Sequence, residues 1–255
     1  MKKLKKLLLS LLLLLSVSFI QSCSVDDNDI NYITEFGTVS HLAQNDNEYY
    51  QINGDHYGLS NLLNKNALKN TQTDSVGQRV LYTYCVVPDN KNSTIPQNAK
   101  QNIRIYDIYK ILTKKMNTLD PSLENDDFGK DPIHINGMYI SSEHLNIQFS
   151  IRRNSPNIAH RISLVGMEGV EPDENGVLNL DLRHNMFDDN PYHLNTGYVS
   201  YTLESIPGYN EGTLKKLIIN CQSTDGTKQH EINITTENKQ GTMKTISCNE
   251  IVPII

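Results

Sequence analysis

The sequence predicts an all-β protein, and three observations support this fold class. Short apolar runs recur along the chain with turn-forming residues between them. In the second half, runs such as residues 145–151 alternate strictly between apolar and polar residues, which is the period of a strand with one buried face. The dipeptides Asn53-Gly54 and Asp225-Gly226 lie beside such runs and favour hairpin turns.

The first half of the chain is predicted to contain four strands and one short helix. The strands cover residues 32–42, 49–53, 79–87 and 102–109, and the helix covers residues 61–70.

A change in composition follows this half. Residues 120–132 contain two prolines, a glycine and five acidic residues, which is typical of a linker. Their carboxylates could also bind calcium, but the spacing Asp-x-Asp-x-Asp-Gly is absent, so a solvated linker is favoured. We therefore expect one domain at residues 31–119 and another at residues 133–255.

The second half follows a β-sandwich pattern. Residues 145–151 and 178–182 alternate, and residues 214–221 and 231–235 flank the turn at Asp225-Gly226. Residues 160–165 and 177–182 flank a similar turn at 173–176. Strands with one buried and one solvated face are typical of an antiparallel sandwich.

The N-terminus has the pattern of a lipoprotein signal peptide. Four lysines precede a leucine-rich block, and Ser22 stands directly before Cys23. We expect residues 1–22 to be removed and Cys23 to become the lipidated N-terminus, which would hold the protein to a membrane. Residues 23–30 form an acidic tether that resembles the surface-export signal of Bacteroidetes-type lipoproteins. The expected location is the outer membrane, on the cell surface or the periplasmic face.

The charge of the mature chain restricts its partners. Removal of residues 1–22, which contain four lysines and no acidic residue, changes the net charge from −6 to −10. Nucleic acid is an unfavourable partner, because its phosphates need basic residues to neutralise them. The same charge favours a cationic peptide or protein.

Six segments in this order resemble the NigD-like lipoproteins. They are residues 49–54, 77–84, 108–114, 131–133, 145–149 and 180–185, of which Gly77-Gln78-Arg79-Val80 and Ile111-Leu112-Thr113-Lys114 are the most specific together. The resemblance implies an N-terminal OB-like domain and a C-terminal β-sandwich domain. It also implies a role in bacteriocin immunity, because the family takes its name from a bacteriocin gene cluster. The resemblance carries over no catalytic residue.

A glycan-binding accessory lipoprotein is the second interpretation. OB folds often bind oligosaccharides on one face, and aromatic side chains can stack on sugars. Tyr82, Tyr84, Tyr106 and Tyr109 lie on predicted strands and are the candidate binding residues, although alternate tyrosines on a strand can equally cap a core. In addition, Ser75 in Asp74-Ser75-Val76 matches a short O-glycosylation acceptor pattern of such bacteria.

Other polar clusters are interpreted as structural. Arg183-His184-Asn185, followed by Asp188-Asp189, could form a general base or a metal site, but its place at a strand end favours a structural corner. The histidines are scattered, and the common hydrolase, metalloprotease and nucleotide-binding motifs are absent. We therefore expect no catalytic residue, no metal and no cofactor, and we interpret the protein as non-enzymatic.

Three cysteines remain after Cys23. Cys85 lies in an apolar run and is predicted to be buried. Cys221 and Cys248 could form a disulfide in an oxidising compartment, but their spacing alone does not decide this.

Overall fold

A computed structural model describes residues 31–44, 47–88, 96, 98–120, 122, 127–141 and 143–234. These residues form β-strands almost throughout, which confirms the predicted fold class. No helix in the described ranges is long and apolar enough to cross a membrane.

Five strands close into a barrel in the first part of the chain. They are β1 (Ile33–Gln44), β2 (Asn47–Gly54), β3 (Gly58–Leu62), β4 (Arg79–Val87) and β5 (Gln101–Lys110), with helix α1 (Asn66–Asn70) between β3 and β4. Their order around the barrel is β1-β2-β3-β5-β4, and only the β3–β5 pair is parallel. This five-stranded barrel has the OB-like architecture that the family resemblance implies.

The barrel core follows the two-residue period of its strands. Val80, Tyr82 and Tyr84 of β4 point inward and are fully buried. Leu81, between them, faces the other way and packs in a separate apolar cluster. The helix is shorter than the predicted range 61–70, because the side chain of Asn64 pairs with the backbone of Ile105 and continues the sheet edge there.

Two sheets form the sandwich in the second part of the chain. Their strands are β6 (Leu112–Lys114), β7 (Asn117–Leu119), β8 (His134–Ser141), β9 (His144–Arg153), β10 (Arg161–Met167), β11 (Val177–Asn185), β12 (His193–Thr202), β13 (Lys216–Ser223) and β14 (Gly226–Asn233). One sheet has the order β14-β13-β11-β10-β7 and the other β6-β12-β9-β8. The predicted alternation is confirmed, since Leu178, Leu180 and Leu182 are buried in the shared core.

The sandwich sheets are mixed. The pairs β11–β13, β10–β7 and β12–β6 are parallel. β12 belongs to the opposite sheet, so the chain leaves the first sheet after β11 and returns to it as β13 in the same direction. β6 and β7 precede the predicted linker and pair with sandwich strands, while the predicted boundaries of the two domains stay a prediction.

The interface between the barrel and the sandwich contains both aromatic contacts and a buried ion pair. Phe36 of the barrel packs edge-on against Tyr139 and Tyr198, with ring centroids 5.8 and 5.4 Å apart. Beside them the fully buried Arg79 binds both carboxylate oxygens of Asp55, at 2.7 and 2.6 Å. Arg79 also donates to the side chain of Asn146 in the sandwich, so one buried cation connects the two parts.

Candidate functional site

A groove of about 540 Å³ lies at one end of the sandwich, and we call it the end groove. Its walls are the start of β8, the end of β9, the segment from β11 to β12 and the turn between β13 and β14. The apolar part of its lining consists of Pro132, Ile133, Ile151, Met186, Pro191 and Leu194. Concave, mostly apolar sites of this size are typical of binding sites in proteins.

The register of the strands determines which apolar side chains line the base and the rim of the end groove. Ile133 and Ile151 are almost fully buried at the base, because they point toward the sandwich core. Leu194 lies opposite Arg152 on the neighbouring strand and is 65% exposed. Tyr192 and Phe187, in the same segment as Leu194, are also exposed. This end of the sandwich therefore presents apolar side chains to solvent.

A buried chain of hydrogen bonds supports the groove. His184 Nδ1 lies 3.0 Å from the carbonyl oxygen of Pro132, and His184 Nε2 lies 2.8 Å from His160 Nδ1. His160 Nε2 lies 3.0 Å from Asp189 Oδ2. All three side chains are buried, and the two imidazole rings are stacked with centroids 5.0 Å apart.

The acceptors in this chain determine where its protons lie. The Pro132 carbonyl can only accept, so His184 carries a proton on Nδ1. The Asp189 carboxylate also accepts, so His160 carries a proton on Nε2. The 2.8 Å contact between the rings requires one further proton, since two bare nitrogen lone pairs would repel each other. The pair therefore holds one more proton than two neutral rings, and the imidazolium is His160, which contacts the carboxylate.

The pKa directions agree with this assignment. Burial is the main cause that lowers the pKa of His184 to about 4; the hydrogen bond to the Pro132 carbonyl opposes this shift, and the neighbouring His160 adds to it. Burial would raise the pKa of Asp189, but hydrogen bonds from the backbone of Asn154 and from His160 hold it well below its usual range.

Asp189 and Asp131 connect three of the four walls of the end groove. Asp189 accepts from the backbone N–H groups of Asn154 and Ser155 beyond β9. Asp131 accepts from the backbone N–H of Met186, while its own N–H donates to the carbonyl of His184. The groove walls are therefore fixed to one another by buried polar contacts, which restrict the conformations that a ligand would have to select.

This arrangement does not support acid–base or metal chemistry. Both ring nitrogens of His160 and of His184 are engaged, so neither ring directs a lone pair into the groove. No cluster of three metal-binding side chains occurs within the described residues. Arg183 pairs with Asp181 at 3.0 Å and belongs to the sheet surface.

The four candidate tyrosines do not form one binding face, which corrects the sequence-based hypothesis for two of them. Tyr82 and Tyr84 are buried in the barrel, where their hydroxyls donate to Glu35 at 3.0 and 2.9 Å. They cannot stack on a sugar from solvent. Tyr109 is half-buried and bonds to Asp107.

Tyr106 is the candidate tyrosine that lies in solvent. It is 71% exposed and packs edge-on against Tyr32, with ring centroids 4.7 Å apart. Ser75 is also exposed, in the loop before β4. Cys23 and Cys248 lie outside the described residues, so lipidation and the Cys221–Cys248 disulfide stay predictions.

The sequence indicates only part of this buried network. His184 and Asp189 are close in sequence and can be recognised as a polar cluster. His160 lies 24 residues before His184 and reaches it only because β10 and β11 pair. The Glu35–Tyr82–Tyr84 cluster was missed for the same reason, since strand pairing brings Glu35 opposite Tyr82.

Comparison with known proteins places this fold in a set of related structures. The model of the NigD-like C-terminal beta sandwich domain matches residues 115–244, just over half of the chain. No curated protein matches the chain.

Three solved structures show the same fold over most of their length. A protein of unknown function from Bacteroides vulgatus ATCC 8482 superposes with a TM-score of 0.67 at 19% identity, over 87% of this chain and 100% of its own. A protein provisionally named toxin-related, from Parabacteroides distasonis ATCC 8503, gives 0.61 at 25% identity, over 82% and 96%. A protein provisionally named a lipoprotein, from Bacteroides fragilis NCTC 9343, gives 0.55 at 11% identity, over 80% and 97%.

Proposed function

The chain belongs to the NigD-like family, and from this premise we propose that it is a non-enzymatic binding protein of the cell envelope that confers bacteriocin immunity. The observation that carries the proposal is the end groove, an open apolar site whose walls are held by buried contacts. The buried imidazoles of His160 and His184 have both ring nitrogens engaged, so neither directs a lone pair into the groove. An open apolar groove with fixed walls is suited to holding a partner.

The N-terminus supplies the location that this function requires. A lipid on Cys23 and the acidic tether at residues 23–30 would keep the body of the protein at the outer membrane. An immunity protein acts by occupying a toxin or its target at the envelope, which needs an anchor and a binding surface but no catalytic group. The toxin-related name of the Parabacteroides distasonis protein is in keeping with this role.

The charge of the mature chain favours a cationic partner. At −10 after removal of residues 1–22, the protein would attract positively charged peptides over about 30 Å at low ionic strength. Complementary charge speeds encounter more than it tightens the final complex. We therefore propose that the negative charge speeds the encounter with the partner and that the end groove retains the bound partner.

Deletion and complementation in the native host would test the proposal. Deletion of the gene should increase sensitivity to bacteriocins from related strains, and the wild-type gene should restore resistance. Leu194→Glu, which places a charge on the exposed wall of the groove, should fail to restore it. Leu63→Glu is the matched control, because Leu63 is 41% exposed directly after β3 of the barrel. Unchanged sensitivity after deletion would contradict an immunity role.

Glycan binding is a second candidate function, favoured by one observation. The exposed pair Tyr32–Tyr106 presents two aromatic rings on the barrel surface, and such rings can stack on sugars. A glycan array with the soluble domain should then give a reproducible signal that Tyr106→Ala removes. Tyr192→Ala is the control, since Tyr192 has a similar exposure of 68% on the sandwich. A signal that survives Tyr106→Ala would exclude this surface.

A further inference from the structure

We infer that the end groove binds an apolar peptide segment that bears a carboxylate, and that Arg152 is the residue that receives this carboxylate. The inference rests on the proposed function, because it names the chemistry of the segment retained in the same groove. Arg152 is an exposed residue of β9 and lines the groove.

Charge at the rim of the groove is the first observation. Asp225, the acidic residue in the lining, is neutralised by Lys228 at 2.9 Å and also accepts from Ser223. Arg152 has no carboxylate within ion-pair distance among the residues that the structure describes. The groove therefore carries a local positive charge on a chain whose overall charge is negative.

The donors of Arg152 are the second observation. Its Nη1 donates to the carbonyl oxygen of Tyr192 at 3.0 Å, which fixes the guanidinium beside Leu194. A guanidinium has five N–H donors, and the remaining ones can bind both oxygens of a carboxylate. Of the hydroxyl groups in the lining, that of Ser150 bonds to Asn136 and Thr196, and that of Ser223 donates to Asp225.

The apolar lining determines the rest of the ligand. Ile133, Ile151 and Met186 lie at the base and side of the groove, and burying apolar side chains against them is favourable. A carboxylate at Arg152 would position such a segment at the Leu194 wall. A free peptide C-terminus preceded by apolar residues is the simplest ligand with this chemistry.

A negatively charged group in the groove is compatible with a cationic partner. Long-range attraction depends on the total charge of both proteins, whereas retention depends on contacts within a few ångströms. The on-rate should therefore fall with salt for the whole partner, while the contribution of Arg152 should remain visible in the off-rate.

A double-mutant cycle on the full mature chain would test the assignment. The probe is a fluorescein-labelled hexapeptide pool whose last four positions are leucine, isoleucine, valine or phenylalanine, with either a free carboxylate or a C-terminal amide. The carboxylate pool should bind wild type, and Arg152→Gln should weaken it about 10-fold, the range of a charge-assisted hydrogen bond. The amide pool should bind wild type about 10-fold more weakly, and its affinity should not change in Arg152→Gln.

Two control variants separate the parts of the site. Leu194→Ala should weaken both pools, because it removes apolar wall without changing charge. Arg104→Gln removes an exposed arginine from β5 of the barrel and should change neither.

Three outcomes would overturn the inference. They are no measurable binding of the carboxylate pool, equal binding of both pools, and displacement of the peptides by laurate at lower concentration than by unlabelled peptide, which would indicate a lipid ligand. Failure of the peptide test together with bacteriocin sensitivity on gene deletion would reject this ligand and leave the proposed function in place. Unchanged sensitivity would reject the proposed function itself.

Discussion

His160 Nδ1 and His184 Nε2 lie 2.8 Å apart in the buried end of the sandwich. Their outer nitrogens are held by Asp189 and by the carbonyl of Pro132. Because each partner is fixed by the backbone or by several hydrogen bonds, the ring pair has one consistent protonation pattern. That pattern makes the pair a structural ion pair with Asp189.

The first prediction concerns this proton. In ¹⁵N NMR spectra near neutral pH, His160 should show two protonated ring nitrogens, and His184 should show one protonated and one bare nitrogen. Asp189→Asn should remove the positive charge from His160, because the carboxylate that stabilises it is lost. A neutral His160 in the wild-type protein would refute the assignment.

The second prediction concerns stability in mild acid. Burial lowers the pKa of His184 from 6.5 to about 4 in the folded protein. Between these values the unfolded chain binds more protons, so stability should fall as the pH decreases from about 6.5 to about 4. The expected loss is roughly 3 kcal/mol, which urea unfolding at several pH values would measure.

His144 adds to the same pH dependence. Burial, followed by the nearby charge of Arg79, lowers its pKa to about 4 as well. His144→Gln should therefore reduce the slope of stability against pH. An unchanged slope in His144→Gln would show that this ring contributes nothing.

The third prediction concerns the interface between barrel and sandwich. Arg79→Met leaves Asp55 buried without its cation and removes the contact with Asn146. We expect a loss of about 3–5 kcal/mol in the free energy of unfolding. Lys216→Met, which removes an exposed ion pair with Glu231 on the sandwich, should cost less than about 1 kcal/mol. A wild-type protein that unfolds in two separate transitions would contradict the tight coupling described for this interface.

The fourth prediction tests packing around Glu35. A Cβ at Gly54 would meet the Glu35 carboxylate and lie 2.7 Å from the Tyr82 hydroxyl, both held in the barrel interior. Gly54→Ala should therefore destabilise the protein by roughly 1–3 kcal/mol. Gly137→Ala is the matched control, since a Cβ there has no atom within 4 Å. Equal melting temperatures for the two variants would show that the side chains of Glu35 and Tyr82 can move to accommodate the added methyl group at little cost in stability.

The fifth prediction concerns the N-terminus. Cells grown with labelled palmitate should incorporate the label into the wild-type protein, because Cys23 follows a lysine-rich and leucine-rich signal. Cys23→Ala should lose both the label and retention in the membrane fraction. Cys85→Ala is the control, and label that persists in Cys23→Ala would exclude this lipidation site.

The strands were predictable because each carries its own signal. Leu178, Leu180 and Leu182 alternate with polar residues, and one buried face explains that period without knowledge of the partners. The parallel pairing of β11 with β13 was not predictable, because no local feature of the sequence indicates that β12 belongs to the other sheet.

The candidate site was less predictable than the strands. Alternate positions of β4 indicate one face but not which face is the interior, so the sequence alone leaves open whether Tyr82 and Tyr84 form a binding surface or the barrel core, where they lie. The end groove combines segments that share no motif and meet only through strand pairing. Its main charged residue, Arg152, has no distinguishing feature in the sequence.

The walls of the end groove come from segments that are far apart in the chain. The segment before β8 lies between the ends of β11 and β13, where Asp131 N–H bonds to His184 and Ile133 N–H bonds to Gln222. The turn after β13 completes the last wall. The site therefore forms only after the hairpin of β13 and β14 has paired with β11, because loop closure over such separations comes late. A molecule clipped before β13 would lack this wall of the groove, so ligand capture would report that the chain has folded as far as β14.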